Sequence, residues 1–275
     1  MRKPSSFFAA FTFLTASTLL AAPLVILALA SALAIFSLSA PPAAAQDAPE
    51  PPGQKWSFSG IFGTPDLAAA QRGFQVYAEV CSNCHAMHQL HYRDLTGIGL
   101  NEEQIKAVAS TFTVPQGLDD QGQPKEGPAT PANQFRSPFP NEKAARAAMN
   151  GAYPPDLSLI INAREGGPDY VYGILTGYAA APAGFTMQEA MNYNQYFPGH
   201  QIAMPQPLQD GRVTYTDGTP NTVDQMARDV VTFLYWTSNP ETVERKQMGI
   251  RVILFLILLT GVTYAVKRKI WADVH

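Results

Sequence analysis

A chain of 275 residues is long enough for one large domain or two small ones. With 46% hydrophobic and 15% charged residues it is less charged than an average soluble domain, which points to a part in lipid. Residues 46–244 hold 11 Lys and Arg against 21 Asp and Glu, a net of −10, while the two ends hold 8 basic residues and one acidic residue, Asp273. An acidic body between basic, apolar ends excludes a nucleic-acid partner and describes a polar domain tethered to membrane lipid.

At the N-terminus, Met1-Arg2-Lys3 precede an apolar stretch from Phe7 to about Leu38, closed by PPAAAQDAPE. A positive head, an apolar run and small residues before a polar switch make a signal peptide of residues 1–45, cleaved after Ala45. The length of the apolar part leaves a retained anchor as the alternative. A mitochondrial transit peptide, amphipathic and Arg-rich, does not fit. Residues 46–240 are then an extracytoplasmic domain. Its first predicted helix is TPDLAAAQRGFQVYAEV, capped by Thr64 or Asp66, with Leu67, Phe74, Tyr77 and Val80 as apolar contacts.

That helix runs into CSNCHAMHQLH, which contains both cysteines of the chain and three of its five histidines. An exported compartment permits a disulfide, but a bridge between Cys81 and Cys84 would close a very short loop and stabilise little. Zinc usually takes four ligands, and the chain has no second Cys/His cluster, although His88 and His91 could complete a site with the thiols. Cys81-Ser82-Asn83-Cys84-His85 is also the attachment motif of a covalent haem c. Two thiols add across two vinyl groups, and the adjacent His85 becomes the proximal ligand to iron. On this reading His88 and His91 are loop or surface residues. Gly73, eight residues before Cys81, and Tyr77, four before it, resemble the class I cytochrome c pattern.

The second axial ligand decides whether such an iron carries electrons or does chemistry on an open face. Met87 is too close to His85 to reach the other face, Met226 belongs to a packed helix, and Met149, Met187 and Met191 lie in helix-like or Gly-rich stretches. Met204 sits in YFPGHQIAMPQPL, where prolines fix an irregular loop. His200 in the same loop competes with it. Further along, TVDQMARDVVTFLYWTSNP predicts a second helix, with Thr222 and Gln225 in capping-box spacing and Asn239-Pro240 as its stop. Gly73 would let the two helices cross closely.

Residues 241–247 are expected to link this domain to a transmembrane helix at 248–266, 19 residues or roughly 28 Å long, with residues 267–275 as a cytoplasmic tail. Arg251 can snorkel to the near interface. Lys267-Arg268-Lys269 hold the C-terminus inside; Arg245 and Lys246 weaken that asymmetry, but the export signal agrees with it. The expected location is a bacterial inner membrane, with the acidic domain in the periplasm.

RGFQVYAEVCSNCH, NGAYPPDLSLI, GGPDYVYGILTGY, YFPGHQIAMPQPL, DGTP and RKQMG together resemble the cytochrome c1 family, the haem subunit of quinol–cytochrome c reductase (bc1) complexes, from about Trp56 to Trp271. The resemblance implies a mostly α, cytochrome c-like haem domain with long loops and one C-terminal transmembrane helix. It implies Met204 as the second iron ligand beside His85, and Arg164, with Tyr170 nearby, at a haem propionate. Class I cytochromes orient the proximal imidazole through a proline carbonyl, here Pro154 or Pro155. The implied partners are cytochrome b, a Rieske iron–sulfur protein as electron donor and a cytochrome c as acceptor. The chain departs from some bacterial relatives in lacking further cysteines for an extra disulfide, and Gly117–Gly127 is expected to be an exposed loop. Rival functions are an anchored cytochrome feeding a terminal oxidase and, from another class, a haem enzyme or gas sensor with an open iron.

Overall fold

The computed structural model describes residues 48–273, so the signal expected over residues 1–45 lies outside the described residues. The described residues are mostly helical, with two small antiparallel sheets. Helix α1, Leu67–Glu79, starts at Asp66, whose carboxylate accepts from Ala68 N–H and Ala69 N–H. Asp66, rather than Thr64, is the cap. Phe74 and Tyr77 are buried as expected, but Leu67 is exposed. Being the first residue of the helix, it stands before the apolar face closes on a neighbour.

Three short helices follow: α2 (Glu102–Ser110), α3 (Glu142–Ala148) and α4 (Gly167–Thr176). Asn101 and Asn141 cap the first two, and α2 has a full capping box with Gln104. Between α2 and α3, β1 (Thr113–Leu118) pairs with β2 (Pro124–Pro128). The expected loop at Gly117–Gly127 is exposed, but it is a hairpin rather than free chain. Asp119 Oδ1 accepts from Gln121 N–H and Gln123 N–H, which ties its tip.

Helix α5, Val223–Ser238, is the centre of the core. The Thr222 hydroxyl accepts from Gln225 N–H at 3.2 Å. The reciprocal half of the predicted capping box is missing, because Gln225 Nε2 turns to Asp229 Oδ1. Val230, Val231, Phe233 and Leu234 are buried against α1, and the crossing depends on Gly73: a Cβ there would stand 2.0 Å from the Asp229 carbonyl oxygen. Next to it, Arg72 donates through Nε and Nη2 to both oxygens of buried Asp229, each at 2.9 Å, and through Nη1 to Asp217. These acids hold the Arg72 guanidinium above its ordinary pKa. Removing one partner would strand a buried charge, at a cost of about 3–5 kcal/mol.

The chain breaks at Asn239-Pro240 and at once begins helix α6, Thr242–Ile270. In the linker expected at 241–247, all but the first residue are helical. Thr-Val-Glu-Arg-Lys-Gln is polar but contains neither Gly nor Pro, and most of it favours helix. Mean hydropathy over its apolar window is 2.1, none of that window is buried, and α6 is the one described helix long and apolar enough to cross a membrane. It also runs past Val266 through Lys267-Arg268-Lys269.

Candidate haem-binding site

The cysteine motif is the continuation of α1. Residues Cys81–Asn83 form a single tight turn in which Cys84 N–H and His85 N–H both donate to the Cys81 carbonyl, at 3.1 and 2.9 Å. The two residues between the cysteines fasten this turn to the helix end. Ser82 Oγ donates to Ala78 O at 2.7 Å, and Asn83 Nδ2 donates to Glu79 O and Val80 O. Cys81 and Cys84 are free, half-buried thiols, so the motif does not form a disulfide here. Burial, with the neighbouring Cys84 second, pushes the Cys81 thiol up to about 12; burial also raises Cys84. Among the described residues no three His, Cys, Asp or Glu side chains come together as a metal group.

His85 Nδ1 lies 2.8 Å from the Pro155 carbonyl oxygen. A carbonyl can only accept, so Nδ1 carries the proton and Nε2 keeps its lone pair. Burial lowers the His85 pKa and outweighs the opposing pull of the Pro155 carbonyl and Asp156. The result is a neutral imidazole of fixed tautomer, the form that binds a metal. Of the two prolines expected in this role, Pro155 makes the contact and Pro154 does not.

A strap of further bonds keeps residues 155–158 against residues 85–89. Leu157 N–H donates to Ala86 O, His88 N–H and Nδ1 both meet Asp156 Oδ2, and Gln89 N–H donates to Ser158 Oγ. Asp156 Oδ1 also accepts from Ser158 N–H. Burial raises the Asp156 pKa, but the hydrogen bonds from Ser158 and His88 outweigh it and hold the carboxyl below its ordinary value. His88 is exposed as expected, yet it has this partner. His91 starts the short helix Tyr92–Ile98, its N–H donating to Asp94 Oδ2.

Met204 lies half-buried in irregular chain after the strand pair β3 (Asn192–Tyr193) and β4 (Gln201–Ile202). Its backbone is held by the Tyr178 hydroxyl, which donates to Met204 O at 3.0 Å. His200 has a φ of +59°, unusual for a residue other than glycine. Its ring stacks on Tyr193 and meets Phe185 edge-on, and its Nδ1 is buried without a partner among the described residues. Met187 and Met191 lie in turns and irregular chain rather than in a helix.

Arg164 is exposed just before α4, and the one hydrogen bond its guanidinium makes among the described residues is to Ala163 O at 3.0 Å. Its charge reaches the Tyr170 phenol, whose pKa burial nonetheless raises. The structure thus joins His85 to Pro155, whereas Arg164 makes no hydrogen bond to Tyr170 among the described residues. Sequence reasoning missed the stapling role of Ser82 and Asn83, the Asp156 strap and the Tyr178 anchor. Only Asp156 had a visible signal, an Asp two residues before a Ser in a proline turn.

A helix that ends in a Cys-x-x-Cys-His turn, with its histidine kept neutral by burial and its tautomer fixed by a proline carbonyl, is the architecture of a c-type cytochrome. Residues 56–274 match the Cytochrome C1 family. The chain is 48% identical to cytochrome c1 of Rhodospirillum rubrum, over 80% of this chain and 87% of that protein. It is 45% identical to the "cytochrome b-c1 complex catalytic subunit, mitochondrial" of Candida albicans, over 84% and 81% of the two chains. It is 46% identical to cytochrome b/c1 of Bradyrhizobium diazoefficiens, over 91% of this chain but 40% of that longer protein. The chain belongs to the cytochrome c1 family.

Proposed function

We propose that the chain is the haem-carrying electron-transfer subunit of a quinol–cytochrome c reductase (bc1) complex, anchored in a bacterial inner membrane by α6 with its acidic domain in the periplasm. The observation that carries the reading is the His85–Pro155 contact beside two free thiols. This donor set fits a covalent haem c: two thiols for thioethers, a neutral imidazole with Nε2 available, and Arg164 with no acid bound among the described residues. When present, haem c supplies a one-electron couple between ferric and ferrous iron. Cys81 and Cys84 would hold it, His85 and Met204 would bind its iron, and Arg164, with Tyr170, would meet a propionate.

The chain's own residues do the rest. Pro155 fixes the imidazole tautomer and orientation, and the Asp156 strap limits its movement. A thioether at Met204 favours reduced iron and raises the potential. The net −10 of residues 46–244 attracts a basic acceptor and speeds encounter. The names of the Candida and Bradyrhizobium relatives support cytochrome b as a neighbour; a Rieske protein as donor and a cytochrome c as acceptor complete the proposal. Quinol chemistry falls to the partners. Purification from membranes in mild detergent tests this. The expected result is a chain whose haem survives acid–acetone extraction and that co-isolates with a b-type cytochrome and a Rieske protein. A haem-loaded chain that purifies alone, or with an oxidase, would overturn it.

A further inference from the structure

The loop before α1 is held by a single cation from the membrane helix. Lys246 Nζ donates to three backbone carbonyls, Phe58 O at 2.8 Å, Gly60 O at 2.8 Å and Gly63 O at 2.7 Å. An ammonium has three N–H donors, and all three are used. The base of the loop is rigid. Phe58 is buried and stacks on Tyr235 with centroids 3.6 Å apart, and Trp56 stacks on Phe58 while its Nε1 donates to Asp169 Oδ1. The backbone is shaped for this path: Gly60 has a φ of +74°, and a Cβ on Gly63 would stand 2.0 Å from Ser59 O.

Between the second and third carbonyls lie Ile61 and Phe62. At 70% and 83% they are the most exposed large apolar side chains among the described residues, above any in the membrane helix itself. Two apolar side chains on a fixed loop, with no partner among the described residues, call for an apolar environment. Their location identifies it. Lys246 is two residues, roughly 3 Å along the axis, outside the apolar run that begins at Met248. The clamp therefore holds Ile61 and Phe62 at the level where the bilayer begins, among headgroups and upper acyl chains.

We propose that Ile61 and Phe62 form a second, monotopic membrane contact, inserting into phospholipid at the headgroup boundary beside the entry of α6. Together with the helix they give the domain two points of attachment. This inference rests on α6 crossing the membrane, which resistance to alkaline carbonate reports separately from the lipid contact.

The test replaces Phe62→p-benzoyl-phenylalanine in the full chain, in its native membranes, followed by irradiation and mass spectrometry of the peptide. The side chain is exposed, so the fold tolerates the change. A control places the same photoreactive residue at Gln121, at the exposed tip of the β1–β2 hairpin. Phospholipid adducts at position 62 should exceed those at 121 roughly tenfold, as for a side chain partitioned into the interface. Adducts confined to another protein would reassign the contact to a protein interface, and a yield equal to that at 121 would leave the tip in water; either overturns the proposal. A chain stripped from membranes by carbonate would remove its basis and overturn it as well.

Discussion

The histidine side and the methionine side of this protein are built in different ways. Around His85, two chain segments 70 residues apart in sequence are joined by a ring-to-carbonyl bond, a backbone bond and a carboxylate that serves two backbone N–H groups and a second histidine. Around Met204, a two-residue strand pair and one tyrosine hydroxyl hold a proline-rich loop. A strong, directional ligand can be presented by a rigid strap. A weak thioether, the role proposed for Met204, would be presented by a loop whose stiffness comes from proline and whose backbone has few bonds to lose. The prediction is that damage on the first side removes the cofactor or its geometry, whereas damage on the second retunes it.

The largest effect expected is from the Cys81→Ala, Cys84→Ala double variant. It should lose covalent haem entirely, seen as haem fully extracted into acid acetone; retention would break the assignment of this side. Met204→Leu should keep haem attached but lower its midpoint potential, on the order of 0.1 V or more within the roughly 0.8 V that axial ligands span. Redox titration checks it, and an unchanged potential would turn attention to His200. Asp156→Asn should loosen the strap by about 1–3 kcal/mol, since His88 N–H and Ser158 N–H lose a charged acceptor. Denaturant midpoints would measure this, with Tyr178→Phe as the milder partner at about 0.5–1.5 kcal/mol.

Acid should make the same distinction. Asp156 has a folded pKa below its unfolded one, so its contribution is present above the unfolded value of about 4 and is lost as pH falls through the lower folded value. Below pH of about 4, hydrogen exchange at His88 N–H and Ser158 N–H should therefore rise before exchange at Asn194 N–H, which donates to His200 O on the methionine side. In the Asp156→Asn variant that early step should disappear.

How far the sequence could be read follows the same division. The Cys-x-x-Cys-His turn at the helix end, the cap at Thr222, the stop at Asn239-Pro240 and the Gly73 crossing were legible because each is local chemistry or a spacing, while the first helix's cap was narrowed to Thr64 or Asp66. The proline carbonyl was narrowed only to a pair, since which of two adjacent carbonyls points at a ring depends on a turn closed by residues 70 positions away. The strap and the Tyr178 anchor were invisible for that reason. That the linker at 241–247 is helical was not legible, because polarity marks where lipid ends, not where a helix ends. Arg245 and Lys246, which blurred the charge asymmetry across the membrane, are partly explained: Lys246 is occupied by the carbonyls of residues 58, 60 and 63.

The continuity of α6 has a mechanical consequence. A flexible seven-residue connection would let the domain wander by roughly 15 Å above the bilayer. Here the junction is pinned instead: Asn162 Nδ2 donates to Ser238 O, Ser238 Oγ to Ser158 O, and Thr242 Oγ1 to Asn239 O, with Thr242 itself buried. The membrane helix is a stalk and not a tether. The head it carries keeps one height and one attitude, so it cannot lean out to meet a distant donor or acceptor. On the proposed function, any travelling between stations would fall to its partners.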